Sequence, residues 1–104
     1  MGAMIRLIVT SDDDLFGRLA ARTRREGDTA YRATNVLDGL RQATTRVVGM
    51  IVVDMSLHAA DTLVESLHSR PETSSIPLFA VKRDGRIPLE LRRLCTDVLK
   101  ADAL

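Results

Sequence analysis

Residues 48–54 read Val-Gly-Met-Ile-Val-Val-Asp, and this stretch decides the fold. It is the most apolar run in the chain, and it ends on a carboxylate. A short, non-alternating run rich in β-branched residues is the pattern of a strand covered on both faces, as in a parallel sheet packed between helices. Asp54 then stands at the carboxyl end of that strand. In open α/β sheets, ligands and reacting groups gather at that end, near the switch point.

The flanking segments repeat the plan. Ile5 to Thr10 (IRLIVT) is a second buried strand, followed by Ser11-Asp12-Asp13-Asp14 and then Leu15, Phe16, Leu19, Ala20 and Thr23 at helical spacing. Ser11 is expected to cap this helix, with Asp14 completing a near capping box. The acids at its start and Arg22, Arg24 and Arg25 at its end suit the helix dipole, and Gly27 supplies the stop. Thr29 to Thr34 alternates as a short strand, and Leu37, Leu40, Ala43 and Thr44 mark a second helix. Leu57 to Ser69 carries a third helix with Leu63, Val64 and Leu67 inward. Ile76 to Val81 is a fourth strand with Pro77 at its start. A turn-rich connection, Lys82 to Pro88, leads to a short helix at Leu89 to Leu94, and Asp97 to Leu99 begins a fifth strand. Strand and helix thus alternate about every 20 to 25 residues, which implies parallel strands joined by right-handed crossovers. A fifth covering helix, expected after Leu104, is absent. One sheet edge is therefore expected to be bare or covered by a partner subunit, as in a homodimer.

Composition narrows the function. The chain has 104 residues, one domain's worth, and 45% of them are hydrophobic but only 3% aromatic. The core must be aliphatic. With 15 basic and 14 acidic residues the formal charge is +1, which argues against direct nucleic-acid binding. Cys95 is the only cysteine, so no internal disulfide can form, and a reducing cytoplasm is the expected location. No apolar run approaches the ~20 residues needed to cross a bilayer, so no membrane role is expected. The start, Met1-Gly2-Ala3-Met4, has no signal-peptide character; residues 1–3 read as a cloning scar and the domain as residues 5–104. His58 and His68 lack the paired spacing of a metal site, and Cys95 reads as a small buried residue.

The strand ends bring together Thr10, Ser11, Asp12 and Asp13 from the first strand, Asp54 from the third, Lys82 from the fourth and Lys100 from the fifth. Carboxylates flanked by lysines suit a hard cation and a phosphoryl group, because oxygen ligands hold Mg²⁺ and lysine neutralises phosphoryl oxygens.

With these segments in place, IRLIVTSDDDLFGRLAARTRREG, GMIVVDMSL and RPETSSIPLFAV together resemble the receiver domain of bacterial two-component response regulators, the CheY-like family. The resemblance runs from Ile5 over nearly the whole chain. It implies a flavodoxin-like, doubly wound five-stranded sheet of order 2-1-3-4-5, with the final helix missing or truncated. It puts Asp54 at the phosphoacceptor position, charged by a histidine kinase, often with an output domain fused to the receiver. It implies a signalling module rather than an enzyme. The departures are specific. Thr10 and Ser11 occupy the positions of the family's metal-binding acid pair, leaving Asp12 and Asp13, with Asp54, as the Mg²⁺ candidates. Lys82 replaces the Ser or Thr at the end of strand four, Val98 replaces the aromatic of strand five, and Lys100 is the candidate for the family's lysine. Lys82 is also the candidate for a fixed ion pair with Asp54. Three readings follow: an atypical receiver acting mainly through protein–protein contact, a conventional Mg²⁺-dependent phosphoacceptor, and a nucleotide- or flavin-binding domain on the same fold. The last has least support, since no Gly-rich phosphate loop follows strand one.

Overall fold

The computed structural model describes residues 3–83 and 86–104. The middle of the Lys82–Pro88 connection and residues 1–2 lie outside them. Five strands, β1 (Ile5–Val9), β2 (Thr29–Ala33), β3 (Met50–Asp54), β4 (Leu78–Lys82) and β5 (Asp97–Lys100), form one sheet of order β2-β1-β3-β4-β5. All four pairings are parallel. Helices α1 (Asp13–Arg25), α2 (Val36–Thr45), α3 (Ala60–Ser69) and the short α4 (Leu89–Arg92) connect them. The strand order is the expected flavodoxin-like one.

Successive side chains of a strand point to opposite faces, and the two faces carry separate cores. Leu7 and Val9 of β1, Ile51 and Val53 of β3 and Leu78 of β4 pack against Ala43, Leu63, Val64 and Leu67 of α2 and α3. Ile8, Val52 and Val81 point the other way and pack against Leu15 and Leu19 of α1. β3 is sandwiched between both, which is why residues 51–53 are apolar without alternation.

Several expected boundaries move. Asp12, not Ser11, caps α1: its carboxylate accepts the Leu15 N–H at 3.0 Å from an extended backbone. Asn35 caps α2 in the same way through the Asp38 N–H, so the helix begins at Val36. That start sets the rotation of α2. Gly39, Gln42 and Ala43 are buried, Leu40 is half-buried, and the expected inner residues Leu37 and Thr44 face solvent, Leu37 with 78% of its surface exposed. Helix α3 begins at Ala60 rather than Leu57, because Ala59 sits in the left-handed region at φ 62°. Its inner face is the expected Leu63, Val64 and Leu67.

After β5 the chain makes one 3₁₀ turn, Ala101–Ala103, and no fifth helix. Arg18 of α1 holds this end by donating from Nη1 to the carbonyls of Ala101 (3.1 Å) and Leu104 (3.0 Å). On the α1 face, Met50, Phe79 and Leu99 remain half-buried. Among the described residues β5 bonds to β4 alone.

Two helical glycines should respond oppositely to alanine. Gly17 in α1 has open space where a Cβ would go, whereas a Cβ on Gly39 would lie 3.1 Å from both methyls of Val9 and 3.4 Å from Leu63. Val9 is buried and β-branched and cannot yield by rotating. Gly17→Ala should stabilise by about 0.5–1 kcal/mol, and Gly39→Ala should destabilise by about 1–2 kcal/mol net of its helix-propensity gain. Opposite shifts of the thermal midpoint, each of several degrees, are the expected readout. A rise in both variants would mean that the α2–β1 contact is loose.

Candidate functional site

The pleat that builds the cores also builds the site. Thr10 follows Ile8 by two, Asp54 follows Val52 by two, and Arg83 follows Val81 by two, so all three continue the α1-facing set past the carboxyl ends of β1, β3 and β4. They meet. Thr10 Oγ1 donates to Asp54 Oδ2 at 2.7 Å. Ser56, two residues past β3, donates to Asp54 Oδ1 from both its N–H (3.0 Å) and its hydroxyl (2.6 Å). Arg83 Nη2 lies 2.7 Å from Asp12 Oδ2 and 3.4 Å from Asp54 Oδ2, bridging the two carboxylates. Thr10 Oγ1 in turn accepts the Asp12 N–H at 3.1 Å.

Asp54 is only 2% exposed. Burial pushes its carboxyl up, but the Ser56 hydroxyl, Thr10, the Ser56 N–H and the charge of Arg83 outweigh burial and hold it below the usual carboxylate range. Asp12 is also lowered, first by the Leu15 N–H it caps and then by Arg83. Arg83 is raised, most by Asp12. Each oxygen of Asp54 already faces two donors, which matches the roughly four acceptor sites a carboxylate offers.

The expected site residues divide. Asp12 and Asp54 come together on one guanidinium. Asp13 does not join them: its carboxylate pairs with Arg32 Nη1 at 2.9 Å, while Arg32 also donates to the Thr10 carbonyl and stacks over the Phe16 ring. Lys82 and Lys100 do not reach Asp54 either. They are register partners on β4 and β5, on the same side as Leu78, which is the α2/α3 face opposite Asp54. The ion pair expected of Lys82 is made by its neighbour Arg83. A one-residue step turns a strand side chain to the other face. Arg83 and Ser56 are the partners of Asp54 that the sequence reading missed. Counting pleat parity from the buried Val81 and noting the Asp-x-Ser turn after β3 were the signals available.

A resident Mg²⁺ would take about six oxygen ligands, carboxylates foremost. Here the two converging carboxylates already share Arg83, Thr10 supplies a neutral hydroxyl, and Asp13 is turned away. Among the described residues there is no group of three or more His, Cys, Asp or Glu able to hold a metal. The side chains as arranged do not fit a resident dication. His58 and His68 are exposed, and Cys95 is half-buried with its thiol pushed up by burial.

Solved structures place this backbone among known folds. A CheY-like response regulator receiver domain from Methylobacillus flagellatus superposes with a TM-score of 0.85 at 20% identity, over 95% of this chain and 86% of the other. A sensor protein from Polaromonas sp. JS666 gives 0.85 at 18% identity, over 95% and 84%. The receiver domain of a sensor histidine kinase from Pseudomonas aeruginosa, with a magnesium ion coordinated in its active-site cleft, gives 0.80 at 15% identity, over 95% and 85%. No protein-family profile matches the chain, and no curated relative does. The fold is that of CheY-like receiver domains.

The depressed Asp54 carboxyl fixes a pH signature. A carboxylate lowered in the folded state stabilises fully above its unfolded value of about 4 and loses that contribution as pH falls through the lower folded value. Urea midpoints should stay level from neutrality to about pH 4 and fall below it. Asp54→Asn, which keeps the shape and removes the titration, should show a shallower fall. Identical acid slopes in the two proteins would contradict the hydrogen-bond assignment.

Proposed function

We propose that this chain is an atypical receiver module of two-component signalling. It works mainly through contact with protein partners, and phosphorylation of Asp54 is weakened or lost. One observation carries this reading: Arg83 Nη2 lies between Asp12 Oδ2 and Asp54 Oδ2, at 2.7 and 3.4 Å. A guanidinium is permanently charged, so the site holds a cation that neither dissociates nor needs recruiting. It neutralises the acids at the strand ends as a bound dication would, without presenting open coordination positions to a phosphoryl donor.

The state of Asp54 supports the same conclusion. To attack phosphorus, a carboxylate oxygen needs a free lone pair and a path to the donor. Both oxygens of Asp54 are engaged by hydrogen bonds, the side chain is 2% exposed, and Arg83 lies on its outer side. A phosphoryl transfer there would first have to displace Thr10 or Arg83. Absent such chemistry, the module's information lies in its surface. The partners that fit are a histidine kinase or a neighbouring output domain, in keeping with the sensor proteins among its structural neighbours.

A phosphorylation assay tests this directly. Incubated with acetyl phosphate and excess Mg²⁺, the protein should show little or no mass adduct and no Mg²⁺-dependent thermal shift. Arg83→Gln removes the internal cation and leaves an amide, with Thr10 and Ser56 still donating to Asp54. This variant should gain Mg²⁺ binding and a measurable adduct. A stoichiometric adduct on the unmodified chain that disappears in Asp54→Asn would sink the proposal in favour of a conventional phosphoacceptor.

A further inference from the structure

At the carboxyl ends of β4 and β5 lies a cleft of about 620 Å³ that shares Arg83 with the Asp54 network and extends away from it. Among the described residues, five cations line it, Lys82, Arg83, Arg86, Arg92 and Lys100, against one carboxylate, Asp102. We propose that this cleft binds a compact polyanion bearing two or three linked phosphoryl groups, either free or as part of a nucleotide.

Charge placement is the first support. The chain as a whole is almost balanced at +1, so this excess is local, not a property of the surface at large. Among the described residues, Lys82, Arg86, Arg92 and Lys100 make no ion pair; only Arg83 does, with Asp12 and Asp54. Lys82 and Lys100 are also direct register partners on adjacent parallel strands. Neighbouring strands lie about 4.8 Å apart, and like charges set opposite one another on one face destabilise a sheet. An anion bridging them turns that repulsion into two favourable contacts.

Shape is the second support. The volume lies within the range of small-molecule sites and is too confined for a duplex. Ile87 and Val98 give the cleft an apolar wall. Val98, a short side chain on β5, leaves space beside Lys100 that a larger residue would fill. Arginines on a loop and on α4 can each offer two parallel donors to a phosphate, and the lysines add point charges at the strand ends. The position also follows the general rule that open α/β sheets take ligands outside the carboxyl ends of their strands.

Calorimetric titration of the purified chain tests the proposal, with tripolyphosphate and with ATP as separate probes, at low ionic strength and without divalent metal. One saturable site is expected for both. Equal affinities would assign recognition to the phosphate chain, and tighter ATP binding would add the nucleoside. Raising the salt to about 0.5 M should weaken binding at least tenfold. Arg92→Glu and Lys100→Glu, both at exposed positions, should each weaken it at least tenfold, and Arg92→Gln should fall between. Arg24→Glu, at the exposed end of α1, changes the net charge equally and should leave affinity unaltered. Failure of both probes to saturate would overturn the proposal, as would an equal loss in Arg24→Glu. So would tighter binding of a glutamate-rich peptide or of duplex DNA with the same dependence on Arg92 and Lys100.

Discussion

A carboxylate that is 2% exposed at the end of a central strand must be given partners, and much of this molecule's upper rim exists to supply them. Asp54 receives Thr10 from β1, Ser56 from its own following turn and Arg83 from beyond β4. Each of these is tied onward. Thr10 accepts the Asp12 N–H at the entrance to α1, Asp12 caps α1 through Leu15, and Arg83 joins Asp12 to Asp54. One buried charge therefore links the first, third and fourth strands and the first helix. The network balances: the donors outweigh desolvation, and the carboxyl stays ionised.

How much of this could be read from the chain follows from what each inference required. The run ending at Asp54 was legible because burial on both faces leaves a compositional mark that neighbours cannot erase. The alternation of strands and helices was legible for the same reason, and the strand order came from the resemblance to receiver domains. The site was legible as a location but not as a set of contacts. Lys82 and Arg83 differ by one position, and only the pleat, counted from a buried residue such as Val81, says which faces Asp54. Leu37 and Thr44 were misplaced by a similar rotation. Each residue of a helix turns the face by about 100°, and α2 turns Gly39, Gln42 and Ala43 inward, one face over from Leu37 and Thr44. Asp12 carried two meanings in sequence, metal ligand and helix-dipole charge, and in the structure it caps α1 while pairing with Arg83.

The structural neighbours sharpen the contrast between scaffold and chemistry. At 15–20% identity, three receiver or sensor structures share this backbone with TM-scores of 0.80–0.85. One of them holds magnesium in its active-site cleft. A parallel sheet between helices asks only for apolar residues of about the right size at buried positions, which many sequences provide. A metal site asks for particular oxygens aimed at one point. The first requirement survives wide divergence. Around Asp54 this chain sets the Thr10 hydroxyl and the Arg83 guanidinium, and the Asp13 carboxylate pairs with Arg32 instead.

The singly laddered last strand has a consequence for how the molecule opens. β1 and β3 are laddered on both sides and enclosed by two cores, so their amides exchange with solvent only when the whole domain unfolds. β5 is laddered on one side and followed by a single 3₁₀ turn that Arg18 pins through two carbonyls. Leu99, Ala101 and Leu104 tie this segment to the α1-face core. The basic cleft lies where the singly laddered last strand meets the rest of the sheet, so its geometry depends on that one ladder staying paired.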